Sequence, residues 1–569
     1  MLRSWIRRYD PGVPSTYGYP DWTVPDLLRR SALRFPNSLA LLFYGRGIRF
    51  KELDDLTTRF ALSLRSLGVG PGDRLALMLP NTPQAVIGYY GALKAGAIVV
   101  PTNPLYVSRE LETQLVDSGS ETIVALDLFY PRIQAVRERT PLKRVILTSV
   151  ADFLPPVLRL LYPIKARLTG RWVTVQKRPP LYDFLRLMES VPAGSKESPS
   201  LPTSNPEDVA MLQYTGGTTG TPKGVMLSHR NIVANTWQCR VWVPDFVDGR
   251  EVFLGVIPFF HVYGLSTCQN LAMMSGSTVV LLPRFQVTDV LKAIHRHRVT
   301  IFSGIPMMFM KISEFPKVGR YDLHSLRVCL SGASPLHAEI QDRFERLTGV
   351  KISEGYGLTE AGPVTHCNPI YGARPRGSIG LPFPDTDTQI VDPETGKPIA
   401  SPGEAGELLV RGPQVMQGYW NNEAETEAVL RKGWLYTGDM VRQDEAGFSF
   451  LVDRKKDMIK SRGESVYPRE VEEVLFRHPA VRDAVVIGVP HRQHGEAVKA
   501  FVVLKDGQVA TELELIAHCR QSLAAFKVPT TVAFRQELPR TMVGKVLRRA
   551  LRDEEVSLSV ADGLACKVG

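Results

Sequence analysis

Residues 73–104 read DRLALMLPNTPQAVIGYYGALKAGAIVVPTNP. Two short apolar runs flank a longer segment with apolar residues at helical spacing, and proline and glycine mark the joins. The stretch therefore predicts strand, helix, strand. The same rhythm returns at STVVLLP (277–283) and at RVCLSGASPLHAEIQDRFERLTG (327–349). Alternation of this kind specifies an α/β fold of mostly parallel sheets covered by helices. Ligands in such sheets sit beyond the C-terminal ends of the strands, so the chemistry is to be sought in the loops there.

The chain has 569 residues, enough for several folding units, and its 44% hydrophobic content supplies a large core. A formal net charge of +11 suits anionic partners such as nucleotides, coenzymes or a phospholipid surface. No nucleic-acid-binding motif accompanies the charge, so no nucleic-acid partner is expected. The six cysteines are scattered and none forms a C-x-x-C pair. Neither a disulfide framework nor a cysteine metal site is expected, and a reducing cytosol fits. The opening MLRSWIRRYDPGVP carries basic residues without an apolar run behind them, unlike a secretory signal. No run approaches the roughly 18 apolar residues of a spanning helix.

The basic run DRKKDMIKSR (453–462) follows apolar GFSFLV. Beyond it, AVVIGVP, AVKAFVVL and the helix-like LELIAHCRQSLAAF have a pattern of their own. This predicts a large domain over 1–453, a linker at 454–456 and a smaller α+β domain over 457–569. Residues 153–180, FLPPVLRLLYPIKARLTGRWVTVQKRPP, contain six basic residues and no acidic one. They read either as an interfacial anchor on anionic lipid or as a surface insertion with a solvated basic face. Pro155, Pro156 and Pro163 are expected to interrupt any long helix there.

In DVAMLQYTGGTTGTPKGV an apolar strand breaks into a loop rich in glycine and threonine and closed by Pro-Lys-Gly. Glycines let backbone N–H groups approach an anion, hydroxyls add donors, and Lys223 adds charge, so a polyphosphate is the expected occupant. The spacing is not that of the G-x-x-x-x-G-K-[ST] nucleotide loop.

This loop, followed in order by YGLTE (356–360), GWLYTGD (433–439), DRKKDMIKSRGE (453–464) and PRTMVGKVLRR (539–549), resembles the adenylate-forming superfamily of acyl-CoA synthetases, adenylation domains and beetle luciferases. The resemblance covers nearly the whole chain. It implies a large N-terminal domain of helix-covered sheets with a β-barrel-like subdomain, followed by a small mobile C-terminal domain. It also implies ATP, Mg²⁺ and coenzyme A as the small molecules used.

Residue by residue, the resemblance implies an ATP site of Thr215, Gly216, Gly217, Thr218, Thr219, Gly220, Lys223, Gly332, Ala333, Glu354, Gly355, Tyr356, Gly357, Thr359, Asp439, Arg454 and Lys545. Tyr356 would stack on adenine, and Thr359 would donate to phosphate. Glu360 would hold magnesium, as a carboxylate suits this hard cation. Asp439 would accept both ribose hydroxyls, with Arg454 beside it. Lys545 would bridge the substrate carboxylate and the α-phosphate, offsetting the charge that builds as two anions meet. His261 in PFFHVYG would border the acyl pocket with Leu265, Ser331 and Gly332, whose small neighbours in LSGASPL leave room for substrate. Lysine 456 would be the hinge, and Lys460 and Gly463 would serve the coenzyme A step after the small domain rotates. Catalysis would thus rest on Lys545, His261, Thr359 and Glu360.

The segment 432–460 resembles the fatty acyl-CoA synthetase signature, and YDPGVP (9–14) and the basic insert are similar to bacterial long-chain enzymes. Ligation of a medium- or long-chain fatty acid to coenzyme A through an acyl-adenylate is the implied activity. Some long-chain relatives have a gate tryptophan where this chain has Leu265, which leaves chain length open. An aryl or hydroxycinnamate CoA ligase, a fatty acyl-AMP ligase and a non-catalytic nucleotide- or acyl-binding scaffold remain alternatives. The expected setting is cytoplasmic, with peripheral contact at the inner face of the membrane and a homodimer both left open.

Overall fold

A computed structural model describes residues 3–170, 173, 175, 179–192, 194–195, 201–215, 222–461, 464–491, 495–541 and 546–565. Their strands form three sheets. The stretch 73–104 folds as the strand Arg74–Met78, the helix Pro83–Lys94 and the strand Ile98–Pro101. Every residue of that helix is buried, so it reads as apolar throughout rather than striped. Gly91 lets it approach the helix Phe50–Ser66. A Cβ there would lie 2.7 Å from the Phe60 ring.

The first sheet has eight strands. Its centre is parallel: Val209–Tyr214, Ile98–Pro101, Arg74–Met78, Thr122–Leu126 and Arg144–Thr148 follow one another with the same direction. The second sheet begins as a parallel ladder that includes Ile301–Gly304, Val328–Ser331 and Ile352–Gly357. It turns antiparallel at Val364–Cys367 and continues through Ser378–Pro382, Ser449–Arg454, Trp434–Gln443, Ala405–Arg411 and Asp387–Val391. These antiparallel strands form the region expected to be barrel-like.

The third sheet starts inside the basic run, at Ile459–Ser461, and has Val481–His491 and Gly495–Leu504 as its long hairpin. The helices Pro468–Phe476, Glu512–Arg520 and Arg548–Ala565 belong to this part of the chain. The segment read as helix-like from 513 onward stops at Arg520, well before Phe526.

One expectation fails in the basic insert. A 13-residue helix, Pro156–Leu168, runs through the segment with Pro163 inside it. Pro156 sits in the first turn, where the missing N–H would have no partner anyway. Pro163 removes a single intrahelical bond from an exposed helix, where water can satisfy the freed carbonyl. Among the described residues, no helix is long and apolar enough to cross a membrane.

Candidate active site

The strands Val209–Tyr214 and Gly224–Ser228 pair antiparallel, with Tyr214 opposite Gly224. The Thr215 amide donates to the Lys223 carbonyl at 3.0 Å, closing the mouth of the glycine loop. Within the loop, Gly216, Gly217, Thr218, Thr219 and Gly220 lie outside the described residues. So do Gly463 and Lys545.

The mouth opens on a cleft of about 1070 Å³ lined by Thr215, Lys223, His261, Thr359, Glu360, Asp439, Arg454 and Lys456. Thr541, four residues before Lys545, also lines it and brings the C-terminal lobe to the same space.

The motif YGLTE reaches the cleft through a close backbone approach. Gly357 ends the strand Ile352–Gly357, and a Cβ there would lie 2.0 Å from the Pro363 carbonyl oxygen. Only glycine fits. The chain then turns through the short 3-10 helix Thr359–Ala361, which carries Thr359 and Glu360 into the cleft lining. Tyr419 donates its hydroxyl to Glu360 Oε1 at 2.9 Å. Burial and the Glu360 carboxylate raise the Tyr419 phenol above its ordinary range, so it stays protonated and keeps donating. Lys223 Nζ lies 2.6 Å from Glu425 Oε2 and 4.9 Å from the Tyr419 ring centroid. A cation and a carboxylate thus stand side by side at this end of the cleft.

The other end is built from cross-strand neighbours. Asp439 on Trp434–Gln443 faces Arg454 on Ser449–Arg454, with Asp439 Oδ1 3.4 Å from Arg454 Nε. Tyr356 donates to Asp439 Oδ2 at 2.6 Å. Burial, then the Asp439 carboxylate, hold the Tyr356 phenol well above its ordinary range. Asp439 is 6% exposed and has hydrogen-bonding or charged partners on both oxygens. Lys455 reaches across to Glu407 Oε2 on the strand Ala405–Arg411 at 2.9 Å and to the Pro393 carbonyl. Lys456 stands in the 3-10 turn Lys455–Asp457.

Other expected residues lie outside the cleft lining. Glu354 is buried and accepts from the Leu336 amide at 3.4 Å, joining the SEGYG strand to the LSGASPL turn. Burial pushes its carboxyl up to about 7. Gly355 continues the strand opposite Cys367. Ala333 holds φ +68°, a left-handed conformation uncommon for a residue with a Cβ. Leu265 and Ser331 are buried. The space left by Gly332 is filled by the ring of Tyr263, whose Cζ lies 3.2 Å from where a Cβ would be. Tyr263 Oη is held by the Gly304 and Leu330 carbonyls at 3.1 and 3.3 Å. Lys460 is exposed on the third sheet, its amide bonded to Glu496.

Sequence reasoning missed Tyr263, Tyr419, Glu425 and Glu407. Tyr263 lies two residues from His261 inside PFFHVYG and could have been flagged there. The others are brought in from segments with no motif of their own.

Two lobes around a cleft with a glycine-loop mouth, a carboxylate at one end and an Asp–Arg pair at the other define an adenylate-forming enzyme. Comparison with known proteins agrees. The AMP-binding enzyme pattern matches residues 28–420, and the AMP-binding enzyme C-terminal domain matches 470–545. The chain belongs to the AMP-binding enzyme family. It is 46% identical over 554 residues to a long-chain-fatty-acid–CoA ligase of Bacillus subtilis (strain 168), covering 97% of this chain and 98% of that one. A long-chain-fatty-acid–CoA ligase of Escherichia coli O157:H7 is 38% identical over 559 residues, 97% of this chain and 98% of its own. Among solved structures, the anthranilate CoA ligase AuaEII in complex with anthranoyl-AMP superposes with a TM-score of 0.82 at 27% identity, covering 95% of this chain and 98% of that one.

Proposed function

We propose that this protein joins a long-chain fatty acid to coenzyme A at the cleft, using ATP and passing through an acyl-adenylate. The observation that carries the reading is one cleft in which a loop mouth with a lysine, a carboxylate turn and an Asp–Arg pair face each other, with the C-terminal lobe reaching in at Thr541. Kinship over nearly the full chain with ligases of that substrate class supports the choice of acid.

In the first half-reaction a carboxylate oxygen of the acid attacks the α-phosphorus of ATP. The bond from that phosphorus to its bridging oxygen breaks, and pyrophosphate leaves. The loop 215–223 holds the outer phosphates, and Lys223 exchanges Glu425 for them. The Glu360 carboxylate beside the Thr359 hydroxyl is a hard oxygen set that suits Mg²⁺, which would screen the phosphate charge when bound. The Tyr356 ring supports adenine, and Asp439 with Arg454 takes the ribose hydroxyls. Lys545 steadies the two anions as they meet. Thr541 in the lining is consistent with that place for it.

In the second half-reaction the coenzyme A sulfur attacks the acyl carbon, AMP leaves, and the thiol proton passes to solvent. The two lobes, 1–453 and 457–569, change their mutual angle about 454–456. Lys456 is the hinge, and the face bearing Lys460 and Gly463 replaces Lys545. His261 borders the acyl group on the cleft side. The reading places the enzyme in the cytoplasm, drawing its acid from the inner face of the membrane.

The test supplies purified enzyme with magnesium, ATP, coenzyme A and a panel of acids. The expected result is pyrophosphate release and thioester formation that increase from octanoate to hexadecanoate. Faster turnover of ferulate would replace the reading with an aryl ligase. Accumulation of acyl-AMP without thioester would make it an acyl-AMP ligase, and no pyrophosphate with any acid would leave a scaffold.

A further inference from the structure

We propose that Glu425 competes with the outer phosphates for Lys223, and so loosens both ATP and the pyrophosphate that must leave. Lys223 Nζ lies 2.6 Å from Glu425 Oε2, and both residues line the cleft. A carboxylate oxygen is an anionic acceptor, as a phosphate oxygen is. Glu425 thus gives the loop lysine the contact that an outer phosphate would give it. The inference rests on the nucleotide reading of the cleft and adds to it a positioning residue that acts through Lys223.

The fold aims this carboxylate at the lysine. Glu425 stands in the first turn of the helix Glu423–Val429, and its amide donates to the Asn422 side chain at 3.2 Å. Thr426 Oγ1 donates to the Asn422 carbonyl at 2.8 Å and accepts from the Tyr419 amide at 2.9 Å. Just before the helix, Gly418–Tyr419 pairs antiparallel with Gly224–Ser228, the strand that follows Lys223. The Trp420 amide donates to the Gly224 carbonyl at 2.7 Å. Helix and lysine are therefore carried by one pair of strands. The Tyr419 ring centroid lies 4.9 Å from Nζ, and the phenol of that ring donates to Glu360. The ring that flanks the lysine is itself fixed.

Side-chain exposures of 32% for Lys223 and 47% for Glu425 make this a partly solvated ion pair, weak by nature. That weakness suits a competitor. A strong, buried pair would shut phosphates out, whereas a pair worth about fivefold (~1 kcal/mol) tunes their affinity. A polyphosphate arriving at Lys223 displaces Glu425, and the carboxylate, nearly half exposed, turns to water. When pyrophosphate departs, the lysine returns to Glu425, which offsets part of the contact being lost. AMP and an acyl-adenylate lack the outer phosphates, so the competition does not touch them. The cleft thereby sheds pyrophosphate while keeping the adenylate, and the reverse reaction, which needs bound pyrophosphate, is held back.

The experiment titrates the full chain with ATP, with inorganic pyrophosphate and with AMP by calorimetry, in magnesium buffer without acid. Glu425→Gln is expected to bind ATP and pyrophosphate about fivefold more tightly than wild type, with AMP unchanged. In turnover with hexadecanoate, the KM for ATP should fall by the same factor without a rise in kcat, and added pyrophosphate should inhibit at correspondingly lower concentration. In a Lys223→Met background, where there is no cation to compete for, Glu425→Gln should have no further effect on ATP binding. ATP and pyrophosphate affinities that stay the same or weaken in Glu425→Gln would overturn the proposal. So would AMP tightening as much as ATP, or a gain that persists without Lys223, because either makes Glu425 a general repulsive charge. ATP bound equally by wild type and variant sinks this proposal alone. Wild type binding neither ATP nor pyrophosphate would sink the nucleotide reading and the proposal with it.

Discussion

Along the linker between the lobes, arginines and lysines lie against carboxylates; along the helix Pro156–Leu168 they flank exposed leucines. Arg548 Nη2 is 2.7 Å from Glu472, and its Nη1 lies 3.5 Å from Asp457 and 3.7 Å from Asp453. Arg552 adds a 3.1 Å contact to Asp457. Asp453 also accepts from the Arg469 amide at 2.8 Å. Burial works against charge on Arg548, but Glu472 and Asp453 outweigh it and raise its pKa above the usual value. Charges taken out of water need partners. On the helix, Lys165 and Arg167 are exposed. The contrast teaches that burial, rather than residue type, decides whether a basic cluster must be matched by carboxylates of the fold.

The largest expected effect tests this contrast directly. Arg548→Met leaves Asp453, Glu472 and Asp457 without their shared cation and should cost about 3–5 kcal/mol by urea unfolding. The matching change on the helix, Arg159→Met, should stay within about 0.5 kcal/mol. Equal losses at the two sites would break the comparison. Next, Lys545→Ala should slow ATP–pyrophosphate exchange with hexadecanoate by about 10²–10³. An undiminished exchange rate would remove Lys545 from the first step.

A pH effect of about 3 kcal/mol is expected at Glu354. Its folded pKa is raised to about 7 from 4.5 by burial. The folded state therefore holds this proton more tightly than the unfolded state. The stability it confers is fully present below pH 4.5 and is lost as pH rises through 7. Glu354→Gln should raise the melting temperature relative to wild type at pH 8 and not at pH 4.5. A pH-independent difference would contradict the assignment. The smallest effect is kinetic. Lys456→Pro should preserve adenylate formation and lower thioester formation about tenfold, since proline fixes φ at the proposed hinge. Equal loss in both half-reactions would place the hinge elsewhere.

The strand–helix–strand of 73–104, the strand ahead of the glycine loop and the separate C-terminal sheet were legible because each is a local pattern of side-chain period and punctuation. The motifs likewise led to the cleft: seven of the residues singled out beforehand, from Thr215 and Lys223 to Asp439 and Arg454, line it together with Lys456. The partners of those residues were not legible. Tyr419 is 59 residues from Glu360, and Glu425 is 202 from Lys223; no local pattern links such pairs. The space beside Gly332 read as open because a sequence shows small residues and not the Tyr263 ring that packs on them.

The sequence by itself determined the alternation that makes the sheets, the order of the motifs and the concentration of basic residues in 153–180. It did so because backbone periodicity and charge are properties of neighbouring residues. Tertiary structure alone decided that Asp439 is held between Tyr356 and Arg454, that Glu354 is dry enough to resist ionisation, and that the leucines of Pro156–Leu168 point away from the core. Each depends on which distant surface closes over a side chain, and desolvation is set by that surface rather than by the residue.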